Sequence, residues 1–179
     1  QVCYCAEAFQ GVYRDHPDAP ALSVLATVLR NGFLHTAIRE KGGAYGAGAS
    51  NDTSTNTFKF FSYRDPKCSE TFSAFQDAIK WAETSITDQH LEEAILGVVS
   101  SIDKPLSPVG EAKNDFNFNL EGILISERLE MRQKIINCTI DDLIRVNKKY
   151  LTAESKKSVL AGEGYKVEAE ELGLMLIEV

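Results

Sequence analysis

A chain of 179 residues, 44% hydrophobic and 25% charged, carries enough apolar material for a core and forms one domain, or two small ones. Its formal charge of −7 argues against nucleic acid as a partner, because phosphate binding needs a basic surface. No apolar run reads as a membrane span and no signal peptide is visible, so no membrane partner is expected.

Four scattered cysteines, Cys3, Cys5, Cys68 and Cys138, form no C-x-x-C pair and point to a reducing, intracellular setting. Cys3 and Cys5 share a face of the first strand and are badly placed to bridge each other. The start at Gln1, running straight into a strand, suggests an excised or processed piece whose targeting segment is out of view.

Along the chain, residues 2–9 alternate as a strand and end at Gly11. Asp18-Ala-Pro20 is a helix start, with a capping carboxylate and proline in the first turn. The helix is expected over 20–41, with Leu22, Leu25, Ala26, Leu29, Phe33, Ala37 and Ile38 on its apolar side and Gly42-Gly43 as its left-handed terminus. Strands are expected over 44–50 and 57–63, joined through a polar hairpin loop and ended by Arg64-Asp-Pro66.

Helical spacing follows at 69–83, 88–102, 108–124, 126–137 and 140–150. Ser107-Pro108 and Thr139-Ile-Asp-Asp142 are start signals, the second resembling a capping box. A strand at 158–162, a helical turn at 167–172 and a closing strand at 174–179 complete the pattern. The fold class is α+β: a single domain with an antiparallel-rich sheet packed against several helices on one face.

The segment from Gly32 to Gly48 concentrates the chemistry. Arg39 sits in the last turn of the helix and Tyr45 opens the next strand. The two glycines between them let the chain reverse. A guanidinium and a phenol are thus brought toward one another, and both can donate to a carbonyl oxygen or to an oxyanion developing from it. Gly43, Ala44 and Gly46 leave room for a substrate backbone to approach. A plainer reading stays open at this point: a helix end whose cations suit the dipole, followed by a packing tyrosine. A phosphate cradle is excluded by order, since these glycines follow a helix and open a strand.

Residues 34–48 (Leu-His-Thr-Ala-Ile-Arg-Glu-Lys-Gly-Gly-Ala-Tyr-Gly-Ala-Gly), 60–66 (Phe-Phe-Ser-Tyr-Arg-Asp-Pro) and 102–111 (Ile-Asp-Lys-Pro-Leu-Ser-Pro-Val-Gly-Glu), in that order, resemble the fourth domain of pitrilysin/insulinase-type zinc metallopeptidases of the presequence protease subfamily. The resemblance runs from about Val2 to the C-terminus. It implies a C-terminal, substrate-binding domain of a larger peptidase that degrades short unfolded peptides between two closing halves. It also implies that Arg39 and Tyr45 reach the substrate, while the N-terminal half of the same peptidase, the partner of this chain, carries zinc on an inverted His-x-x-Glu-His motif and a distant Glu.

That zinc motif is absent from this chain. His16, His35 and His90 form no such pair, so zinc is expected in the full-length enzyme and no catalytic metal ligand here. His35 reads as a surface residue one turn before Arg39, and His90 as a solvated residue at a helix start. Cys3, Cys5 and His16 make only a weak metal cluster. Phe58, Phe60, Phe61 and Tyr63, and the helical set Phe72, Phe75, Ile79 and Ala82, read chiefly as core. The acidic groups at 92–93, 141–142 and 168–171 read as solvated faces.

The chain alone is expected to be inactive. The competing readings are a scaffold or partner subunit homologous to such peptidases, and a stand-alone α+β peptide-binding module. Mitochondrial matrix, plastid and bacterial cytoplasm are equally compatible with the sequence.

Overall fold

The computed structural model describes residues 2–175 and 177. Strands β1 (Cys3–Gln10), β2 (Gly46–Asp52), β3 (Thr57–Asp65) and β4 (Ser155–Ala161) form one antiparallel sheet in the order β2-β3-β1-β4. The α-helices of the described residues are α1 (Ala19–Leu29), α2 (Ser69–Thr84), α3 (Asp88–Ile102), α4 (Pro108–Leu120), α5 (Ile125–Ile136), α6 (Ile140–Tyr150) and α7 (Lys166–Glu171). The single α+β domain read from the sequence is the one observed.

Strand alternation explains the layering. Cys3, Cys5, Glu7 and Phe9 of β1 and Phe58, Phe60 and Ser62 of β3 point to one face and are buried. Leu22, Leu25 and Leu29 of α1 and Phe72, Phe75 and Ile79 of α2 join them in one core. Phe60 sits at its centre, stacked on Phe75 at 5.3 Å and meeting Phe9 edge-on at 6.0 Å. Truncating Phe60 to alanine would cost about 3–5 kcal/mol. The other face of the sheet presents Tyr4, Tyr63 and Leu160, all exposed.

Asp18 departs from its expected role. It stands at the N-cap of α1, but its side chain caps nothing there. The carboxylate, almost wholly buried, instead accepts from Arg145 at 2.6 Å, Lys149 at 2.8 Å and the Tyr150 hydroxyl at 2.7 Å, all on α6. Burial opposes its ionisation, but these hydrogen bonds outweigh burial and hold the carboxyl well below the usual carboxylate range. The expected cap has become a staple between the start of α1 and α6.

The long helix after Asp18 is continuous, as expected, but its second half is wound differently. Residues Arg30–Glu40 form a π-helix, closed by the Lys41 N–H donating to the Thr36 carbonyl five residues back. The buried positions show the change of pitch. In α1 nine of the eleven residues are buried, whereas in the π-helix the buried residues are Leu34 and Ile38, five and nine positions after Leu29. Phe33 and Ala37, assigned to the apolar side from an α period, are only partly buried, and Leu34 takes the core position. At Gly32 an added Cβ would lie 2.6 Å from the Trp81 ring, so glycine lets α2 press against this segment. Ala19–Glu40, 22 residues with a hydropathy of 1.2, is the described helix long and apolar enough to cross a membrane; nine residues of its α half are buried in the core.

Other boundaries shift for local reasons. α4 ends at Leu120 because Gly122, at φ +69°, closes it with the Ile123 N–H on the Phe118 carbonyl. β4 starts at Ser155, earlier than its apolar residues indicated. It is an edge strand carrying Lys156 and Lys157, charges that discourage further pairing. Of the expected closing strand, residues 174, 175 and 177 have no strand assignment, and 176, 178 and 179 lie outside the described residues. His90 is not simply solvated. Its Nδ1 accepts from the Thr87 N–H at 3.2 Å, completing the cap of α3, and its ring packs on Trp81 at 5.2 Å.

Candidate functional site

The bend between the π-helix and β2 is built by two glycines with different duties. At Gly42 a Cβ would come within 2.4 Å of the Ile38 carbonyl oxygen. Gly43, at φ +86°, reverses the chain. Its N–H donates to the Arg39 carbonyl at 3.1 Å, and that of Ala44 to the Ile38 carbonyl at 3.1 Å. This is a Schellman-type closure in which each bond spans one residue more than usual, in keeping with the wider winding before it.

Arg39 leaves the last π turn into solvent. Its Nη1 lies 2.9 Å from His35 Nε2. Arginine has only donors, so Nε2 accepts and the ring proton sits on Nδ1. That nitrogen faces Glu40 Oε1 at 3.3 Å. A residue can meet partners four and five positions on because both lie near one full turn of a π-helix. The chain Glu40–His35–Arg39 therefore orients the guanidinium and gives His35 a supporting place beside it.

Tyr45 is 63% exposed, and its hydroxyl makes no hydrogen bond within the described residues. Its backbone and ring are nonetheless held. Its N–H donates to the Arg64 carbonyl at 3.3 Å, its ring meets Tyr63 at 5.7 Å, and the Arg64 guanidinium sits over it at 5.6 Å.

Both holding residues come from an irregularity in β3. The β1–β3 register slips between Cys3↔Asp65 and Cys5↔Ser62, so Tyr63 and Arg64 together oppose Tyr4. Arg64 takes φ +48°, a left-handed conformation uncommon for a residue with a side chain. The bulge turns Tyr63 over Gly46, where an added Cβ would lie 2.5 Å from the ring.

Of the five residues singled out in sequence, Arg39, Gly43 and Tyr45 reach the surface. Ala44 is buried in the core, and the space above Gly46 is filled by Tyr63 rather than left open. Arg39 and Tyr45 flank one bend but share no hydrogen bond; the cation over the tyrosine ring is Arg64. Tyr63 and Arg64 were legible only as the end of a strand, because a bulge depends on the partner strand's register. The three histidines are separately engaged, His16 accepting from the Asp18 N–H at 3.0 Å, His35 beside Arg39 and His90 at the cap of α3, which does not fit a shared catalytic zinc. Cys3 and Cys5 do cluster, but with Cys68 instead of His16.

The fold of an antiparallel sheet with helices on one face recurs in solved structures. A protease from Helicobacter pylori matches with a TM-score of 0.77 over 90% of this chain and 41% of that one, at 18% identity. The peptidase M16 inactive domain from Pseudomonas fluorescens matches at 0.70 over 89% and 40%, also at 18% identity.

The sequence narrows this class. Residues 8–161 match the family of the PreP C-terminal domain, and the chain belongs to that family. Mitochondrial presequence proteases are similar: that of Eremothecium gossypii is 40% identical over 157 residues, covering 87% of this chain and 16% of the relative. That of Xenopus tropicalis is 40% identical over 153 residues, covering 85% and 14%. The chain thus spans about a sixth of the length of these relatives.

Proposed function

We propose that this chain is the substrate-binding quarter of a zinc metalloendopeptidase that degrades short unfolded peptides. Tyr45 and Arg39 serve the peptide backbone at an active site completed by the N-terminal half of the same enzyme. The observation that carries this reading is the Tyr45 hydroxyl: an exposed donor with no hydrogen-bond partner among the described residues, on a ring held by Tyr63 and Arg64. A donor fixed before the substrate arrives needs little reorganisation as negative charge develops on a carbonyl oxygen. Arg39, oriented by His35, would hold a neighbouring substrate carbonyl through its remaining N–H groups.

Zinc, when bound by the other half, would supply the activated water. The residues of this chain act on the substrate side, orienting the peptide and donating to its oxygen. The names of the relatives, mitochondrial presequence proteases, support protease chemistry and a mitochondrial location for the whole protein.

The test is Tyr45→Phe in the full-length enzyme. Turnover should fall about 10²-fold or more, as for loss of one oxyanion donor, with unchanged thermal stability. Wild-type turnover would remove the catalytic role of Tyr45, whereas absence of turnover in the unmutated full-length protein would favour a scaffold subunit.

A further inference from the structure

Away from the bend, three of the four cysteines converge at one point inside the domain. Cys3 and Cys5 lie on the helix-facing side of β1, and Cys68 is the residue preceding α2. Their relative exposures are 0%, 1% and 0%. Cys3 Sγ is 3.6 Å from Cys5 Sγ, Cys5 Sγ is 3.9 Å from Cys68 Sγ, and all three sulfurs lie within 4.8 Å of one another. A metal–thiolate bond is about 2.3 Å, which puts two sulfurs on one tetrahedral ion about 3.8 Å apart. The two measured spacings bracket that value. The Asp65 carbonyl oxygen is 3.2 Å from Cys3 Sγ, close enough to that sulfur to serve as a fourth donor.

We propose that Cys3, Cys5 and Cys68 form a binding site for one soft divalent cation of the zinc and cadmium type, with the Asp65 carbonyl completing the donor set. All three thiols lose their protons to solvent as the ion enters, because a thiol bound to such a cation is deprotonated. Two thiolates match the ion's two positive charges, and the third leaves the complex one net negative charge. The carboxylates of Asp65 and Glu168 nearby make the last deprotonation the least favourable.

The ion competes with protons for the thiols, so binding strengthens as pH rises. The occupied site would tie the first strand to the N-terminus of α2. It would do so next to Asp65, which follows the bulge residue Arg64 directly.

Native mass spectrometry of the protein with zinc alone, free of competing thiols, tests this on the wild-type chain. The expected gain is one zinc less three protons per chain, accompanied by a higher thermal midpoint. In parallel, cadmium should produce a sulfur-to-metal charge-transfer band that saturates at one ion. The band should be lost in Cys5→Ser and kept in Cys138→Ser, since Cys138 is buried apart from the trio. If Cys5→Ser does not fold, the wild-type mass measurement decides alone. No mass gain, or a band that survives in folded Cys5→Ser and vanishes in Cys138→Ser, would overturn the site.

Discussion

Two polar clusters, one at each end of the long helix, are put to opposite uses. At its start, buried Asp18 is saturated: Arg145, Lys149 and Tyr150 all donate to its carboxylate. At its end, Tyr45 is held through its backbone and ring while its hydroxyl stays exposed and without a hydrogen-bond partner among the described residues. A cluster with every group satisfied holds the fold together. A donor that is fixed but unspent is kept for something that arrives from outside. The two ends differ in winding as well, α at the saturated end and π at the open one, where the wider turn lets His35 reach both Arg39 and Glu40.

Substitutions at the two ends should separate stability from activity. The loss of turnover in Tyr45→Phe is the largest effect on the open side. Its counterpart, Asp18→Ala, strands two cations and a phenol, and should lower stability by about 2 kcal/mol in chemical denaturation while leaving the bend intact. The same carboxylate sets an acid limit. Its folded pKa is depressed, so its contribution is fully present above the unfolded value near about 3.9 and is lost as pH falls below it. Denaturation followed between pH 6 and pH 3 should show this loss in the wild type, and a shallower one in Asp18→Asn.

A smaller effect is expected from Arg64→Gly. It removes the cation over Tyr45 but supplies a residue at ease at φ +48°. The thermal midpoint should stay level or rise while kcat falls about two- to fivefold, and Arg64→Lys should restore much of the rate. Equal losses of stability and rate would reduce the bulge to a folding feature. The smallest change is expected for His35→Phe, which frees Arg39: KM rises about two- to threefold with kcat nearly constant.

Much of this was legible in the chain because it depends on short-range rules. The diglycine reversal, the hairpin, the Thr139 cap and the alternating face of β1 all follow from neighbouring residues. The features that shape the site depend on partners distant in sequence. The π winding left a trace in the spacing of Leu29, Leu34 and Ile38, but an α period fits most of the same residues. The bulge at Tyr63 and Arg64 exists only against β1, and Asp18 looked like a cap because α6 lies more than a hundred residues away. Cys68 could not be grouped with Cys3 and Cys5 before β3 and α2 were placed.

The most direct measurement is a double-mutant cycle of Arg39→Ala and Tyr45→Phe on kcat/KM in the full-length enzyme. If both side chains grip one peptide backbone, the second loss should be smaller once the first has been made, with a coupling of at least about 0.5 kcal/mol. Strict additivity of two large effects, or no effect of either change, would contradict a shared role at the substrate.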